Sequence, residues 1–123
     1  MQIQLASILK MDGVLKPGVV FHHSPNETAM GARWVTKLLR SGMQTGWPDF
    51  EFVDNFADIY SCARFSALEL KMPGGSLSKA QRATRDRLKA TDANWHCARS
   101  IPDALETLQE WGLVRRDVEW FEL

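Results

Sequence analysis

The chain is expected to fold as one α/β domain, a central mixed sheet flanked by helices, spanning residues 1–123. Three observations lead there. Segments with helical spacing interleave with short segments rich in β-formers, the pattern of layered α/β domains. Glycine, proline or a helix-capping serine marks almost every change between them. With 123 residues, 45% of them hydrophobic, there is material for one core. A charged fraction of 24% is ordinary for a soluble globular protein and argues against disorder. No apolar run approaches the ~18 residues of a membrane span, so no membrane partner is expected. No basic-then-apolar leader opens the chain. Cys62 and Cys97 are too few for a disulfide framework and neither sits in a C-x-x-C pair. A reducing, cytoplasmic setting is the expectation.

In chain order, Ile3, Leu5, Ile8 and Leu9 fit a short helix over residues 3–9. Residues 12–18 carry two glycines and a proline and read as a loop, and Val19, Val20 and Phe21 as a strand. Ser24, Pro25 and Glu27 have the spacing of an N-cap, a first helical proline and a capping-box glutamate. Ala32, Val35, Leu38 and Leu39 then supply an apolar stripe that Gly42 closes. After the Gly46-Trp47-Pro48 turn, residues 49–53 alternate as a strand with Phe50 and Phe52 on one face. Residues 64–72 form a second strand, ended by Pro73-Gly74-Gly75. A helix is expected over 76–90, a strand over 95–98, and a last helix from Ser100-Ile101-Pro102-Asp103 to Gly112. There is no internal repeat and no low-complexity tract.

A formal net charge of zero conceals a segregation. Residues 71–99 carry seven basic side chains against two acidic ones, a local excess of five positive charges. Residues 101–123 carry two basic against six acidic. A local basic surface attracts phosphates whatever the total, although a merely solvated helix face has the same composition.

Candidate chemistry lies in two places. In Glu69-Leu70-Lys71 the alternation of a strand sends Leu70 into the core and brings Glu69 and Lys71 out together on the other face. Asp49 heads the preceding strand, so adjacent pairing would bring the two carboxylates within a few ångströms. Two bare carboxylates ~4 Å apart repel by about 4 kcal/mol at an effective dielectric of ~20. A divalent cation removes that conflict, and all-oxygen ligands suit Mg²⁺ or Mn²⁺. Lys71 then stands where it can touch a phosphate or an attacking water. The plain alternative is an exposed ion pair on a strand face.

The wider context resembles the PD-(D/E)XK nuclease superfamily, with Pro48-Asp49 and Glu69-Leu70-Lys71 as the halves of its signature. Together with His23-Ser24-Pro25-Asn26-Glu27, Gly46-Trp47-Pro48-Asp49, Pro73-Gly74-Gly75 and Leu77-Ser78-Lys79-Ala80-Gln81, it looks like the VRR-NUC, or virus-type replication-repair nuclease, branch. The resemblance covers nearly the whole chain and fades from about Gly112. It implies a restriction-endonuclease-like fold, a metal-dependent DNA endonuclease, and a bacterial or phage setting. By the same resemblance Asp49, Glu69, Glu27 and the Leu70 carbonyl would be metal ligands. Lys71 would orient water or stabilise phosphate charge, and Gln81 would lie beside it. Glu27 has a simpler reading as a helix cap.

Gln81 also has a physical argument, since it shares the inward face of its helix with Leu77, Ala80, Thr84 and Leu88. Lys79, Arg82 and Lys89 face outward as phosphate-contact candidates. His22, His23 and His96 lack metal-ligand spacing. The tryptophans read as core anchors, with Trp47 beside the candidate site turn. Trp111, Leu113, Val114, Trp120 and Phe121 fit either a subunit interface or the chain's own core. Short stand-alone members of the resembled branch are dimers that act on four-way junctions, which implies a homodimer on branched DNA. The competing readings are a nuclease-fold module that binds nucleic acid without cutting, and a sequence-specific restriction-type endonuclease.

Overall fold

The structure is a computed structural model and describes residues 1–24, 33, 37, 40, 42, 44–55 and 63–117. Helix α1 spans Gln2–Leu9. Its buried stripe is Leu5, Ile8 and Leu9. Ile3, two residues ahead of Leu5 and so on the other side of the helix, is 85% exposed and drops out of the expected stripe. Strand β1 covers Val20–His23, β2 Phe50–Asn55 and β3 Ala63–Leu70. Helix α2 follows over Lys79–Ala90, then β4 over Asn94–Ala98 and α3 over Ile101–Glu110.

The four strands form one sheet in the order β1-β2-β3-β4. β1, β2 and β3 pair antiparallel, whereas β3 and β4 pair parallel with α2 as the crossover. This is the mixed sheet that the interleaved pattern predicts. Register sorts its faces. Phe50 pairs with Leu68 and Phe52 with Ser66, and Leu70 pairs with Ala98 across the parallel ladder. These residues meet Leu5, Ile8 and Leu9 of α1 and Ala104, Leu105 and Leu108 of α3 in one buried core. On the opposite face Glu51 pairs with Ala67, Ala67 with Trp95 and Glu69 with Cys97. Helix α2 lies over this side, its buried Thr84 hydroxyl donating to the Thr45 carbonyl at 3.3 Å.

Gly46 sets how closely α2 approaches. Its φ is +77°, and a Cβ there would lie 2.5 Å from the Ala80 carbonyl carbon and 2.7 Å from the Gln81 nitrogen. Only glycine fits both the left-handed backbone and the contact. The turn that carries Asp49 is thereby seated on the first turn of α2.

Several boundaries move. Helix α2 begins at Lys79 rather than Ser76 because Ser78 is its N-cap. Strand β3 ends at Leu70, so Lys71 and Met72 follow the strand. Of the helix expected after Ser24, the described residues Arg33, Lys37 and Arg40 are helical. Pro25, Glu27, Ala32, Val35, Leu38 and Leu39 lie outside the described residues, as do Cys62, Trp120 and Phe121. Leu113 and Val114 are fully buried, and Trp111 packs against the same core, so these three serve their own subunit.

Candidate active site

Asp49 immediately precedes β2, and one further step of the register that pairs Phe50 with Leu68 sets it opposite Glu69. Main-chain and side-chain bonds both hold it. Its Oδ2 accepts from the Leu70 N–H at 2.8 Å and its Oδ1 from the Gln2 side-chain amide at 2.9 Å. Its carbonyl accepts from the Ser24 N–H at 2.9 Å. The carboxylate therefore bridges the head of β2, the end of β3 and the start of α1.

Glu69 lies on the α2 side of β3, as alternation requires, with Leu70 in the core. It is not the exposed partner of a surface pair, for only 3% of it reaches solvent. Burial pushes its carboxyl from the ordinary 4.5 up to about 8. The charge of Asp49 and a hydrogen bond with Asp49 act in the same direction, and Lys71 opposes them. A buried acid beside a second acid is the electrostatic conflict anticipated from the sequence.

Gln81 supplies the polar contact from above. Its Nε2 donates to Glu69 Oε1 at 3.2 Å. Its Oε1 accepts from the Ser78 N–H at 2.8 Å, while its own N–H donates to Ser78 Oγ at 3.1 Å. These last two bonds form a capping box, so one side chain both starts α2 and reaches the buried acid. The S-x-x-Q spacing of Ser78 and Gln81 is the sequence signal for this box.

Lys71 leaves β3 with its N–H donating to the Ala98 carbonyl at 3.0 Å. Gly75 lies against its stem, since a Cβ there would stand 3.8 Å from Lys71 Cβ. Arg99 fastens the intervening turn, its guanidinium donating to the Met72 carbonyl at 3.3 Å and to the Gly75 carbonyl. Arg99 and Gln2 carry no local sequence signal, because their partners are distant main-chain and side-chain atoms.

Other assignments fall differently. Lys79, Arg82 and Lys89 are exposed on α2, Arg82 donating to the Leu77 carbonyl at 2.7 Å. Ser24 donates through its hydroxyl to Glu51 Oε1 at 2.6 Å. His22 is abreast of Glu51, the His23 ring is 4.9 Å from that of Phe50, and His96 pairs with Asp103 at 3.0 Å. Trp47 packs its ring 6.2 Å from that of Phe65. Among the described residues no three His, Cys, Asp or Glu side chains form a metal-binding group. Glu27 lies outside them. The acidic pair alone matches a hard cation in chemistry: two oxygen donors, one deeply buried, with the Asp49 charge disfavouring ionisation of Glu69. The residues fit such an ion.

No family model and no curated protein matches the sequence. Among solved structures, one described as a VRR_NUC domain protein superposes with a TM-score of 0.55 at 22% identity. The match covers 74% of this chain and 66% of the other, so the chain spans about two thirds of that protein's length. With its mixed sheet and flanking helices, the chain has the restriction-endonuclease-like α/β fold seen in that VRR_NUC domain protein.

Proposed function

We propose that the chain is a divalent-metal-dependent nuclease that hydrolyses phosphodiester bonds in DNA. One observation carries the reading: Asp49 and a buried Glu69 stand together, and burial and the neighbouring Asp49 push the Glu69 carboxyl up to about 8. Structural carboxylates are usually paired with cations or exposed. Asp49, Glu69 and the Leu70 carbonyl would hold Mg²⁺ or Mn²⁺, with Glu27 joining them by the resemblance. When bound, such an ion would supply Lewis acidity toward the phosphate and the attacking water.

The protein's own groups do the rest. Gln2 and the Leu70 N–H fix the direction of the Asp49 carboxylate. Gln81 fixes Glu69. Lys71, on a stem steadied by Gly75 and by the Arg99-held turn, brings its ammonium group to the scissile phosphate or the water beside it. Lys79, Arg82 and Lys89 contact neighbouring phosphates. Positioning plus electrostatics is the main contribution a protein makes to phosphoryl transfer. The finer reading is a homodimer selective for branched DNA, acting in the cytoplasm of a bacterial or phage-infected cell. Among the described residues no helix is long and apolar enough to cross a membrane.

A plasmid-nicking assay tests the reading. Relaxation of supercoiled DNA in Mn²⁺ or Mg²⁺, abolished by EDTA and absent in Glu69→Gln, is the expected result. A protein that binds the plasmid and never nicks it would leave the non-cleaving module as the answer.

A further inference from the structure

Two cations of α2 converge on one aromatic ring of the neighbouring strand. The Arg85 guanidinium carbon lies 5.9 Å from the centroid of the Trp95 ring, and the Lys89 ammonium nitrogen lies 5.7 Å from it. At ~6 Å a cation is drawn to the ring face. Trp95 pairs with Ala67 in a register that sets Cys97 beside Glu69. It therefore stands on the Glu69 face, two residues back along β4, which has no outer neighbour in the sheet of described residues.

The helix repeats this direction. Gln81, Arg85 and Lys89 are four residues apart and line one side of α2, about 6 Å per step. The row starts at the Gln81 amide, 3.2 Å from Glu69, and runs away from the acidic pair through the two cations. Asp86 accepts from Arg85 Nε at 2.9 Å, which leaves the terminal guanidinium nitrogens for other partners. No carboxylate among the described residues pairs with Lys89. Two like charges gathered over one ring repel each other, and an anion between or beside them relieves that repulsion.

We infer that the seam between α2 and β4 is a track for the phosphate backbone of a nucleic-acid strand, with Arg85 and Lys89 as contacts and Trp95 as the residue that positions them. The start of the track at Glu69 rests on the nuclease reading. A strand carries one phosphate per nucleotide, so two cations one helical turn apart on α2 would meet neighbouring phosphates. The ring holds both heads in place before the strand arrives, which lowers the ordering cost of binding.

Anisotropy of a fluorescein-labelled single-stranded oligonucleotide, titrated in EDTA over a salt series, tests the track without any cleavage. Arg85→Gln with Lys89→Gln should weaken binding about tenfold and reduce the salt slope by roughly 1.4, two contacts at ~0.7 each. Trp95→Leu should weaken binding several-fold with both charges still present, and Trp95→Phe should restore it. Should Trp95→Leu fail to fold, the double glutamine variant decides alone. Lys10→Gln with Arg115→Gln removes the same charge away from the seam and should bind like the wild type. Equal losses in the two double variants, or none in the seam variant, would overturn the track. The same oligonucleotide with Mn²⁺ tests the reading separately. Cleavage with unchanged seam-variant affinity rejects the track alone, and seam-dependent binding without cleavage rejects the nuclease reading alone.

Discussion

The side-chain amide of Gln81 donates to Glu69 while its carbonyl oxygen closes the capping box on Ser78, so the start of α2 and the orientation of the buried acid depend on one residue. The two roles separate by substitution. Gln81→Glu keeps an acceptor for the Ser78 N–H but removes the donor to Glu69 and adds a third acid. Activity should fall by about 10–100-fold, the usual cost of losing a partner that orients a metal ligand, with the helix intact by circular dichroism. Gln81→Ala should also lose about 1 kcal/mol of capping, seen as a melting temperature lower by a few degrees. Full activity in both variants would assign Gln81 to the cap alone.

Asp49→Asn, Glu69→Gln and Lys71→Ala should each abolish nicking while the protein stays folded. Glu69→Gln replaces a carboxyl that burial keeps protonated near neutral pH. Asp49→Asn keeps one oxygen for the Leu70 N–H, while the Gln2 amide can turn to meet the new amide. Both melting temperatures should therefore stay close to wild type. Near-wild-type cutting by any one of the purified variants would remove that residue from the site.

Glu69 makes stability depend on pH in a definite direction. Its folded value, about 8, is above the ordinary 4.5, so the folded state binds the proton more tightly. That contribution is fully present below pH 4.5 and is lost as pH rises through about 8. In EDTA, denaturant midpoints should fall across this window for the wild type, with a flatter profile for Glu69→Gln. Mn²⁺ should raise the midpoint more at the alkaline end, where it no longer competes with the proton. Parallel profiles for wild type and variant would contradict the burial-driven shift.

Glu27 can be resolved functionally. Glu27→Gln keeps much of a capping box but loses the charge. A sharp loss of activity at constant melting temperature assigns it to the metal site, and unchanged activity leaves it a cap.

Assembly follows from strand number. On the proposed nuclease reading one acidic pair would serve one strand, so concerted cleavage of two strands would need two sites, most simply in a twofold dimer. Light scattering at micromolar concentration should give about twice the 14.0 kDa chain mass, and a four-way junction should be cut ahead of linear duplex. A monomer indifferent to branches would remove the dimer and junction readings and leave the nuclease reading standing. Trp111, Leu113 and Val114 no longer support an interface, because they complete the chain's own core.

Local rules read directly from the sequence account for much of the molecule. Alternation set Phe50 and Phe52 on one face of β2 and divided Glu69 from Leu70. The Ser100 cap and following proline started α3, and helical spacing identified the inward face of α2, with Thr84 buried and Lys79, Arg82 and Lys89 outside. Each rests on interactions within a few residues, which is why a single chain can reveal them. Sequence spacing also suggested that Asp49 and Glu69 meet, although spacing alone does not specify a neighbour. The antiparallel register of β2 on β3 and the bond from Leu70 N–H to Asp49 give that pairing its geometry. Burial of Glu69 is a tertiary property too, since it requires α2 to close over β3, an approach that Gly46 permits through contact with Ala80 and Gln81. Gln2, Arg99 and Trp95 acquire their roles only through partners 47, 24 to 27 and 6 to 10 residues away in sequence. Composition and periodicity determined which side chains could do chemistry and which surfaces would be buried. Only the packed sheet and helix decided which of them share a site, because desolvation and charge coupling act through space and not along the chain.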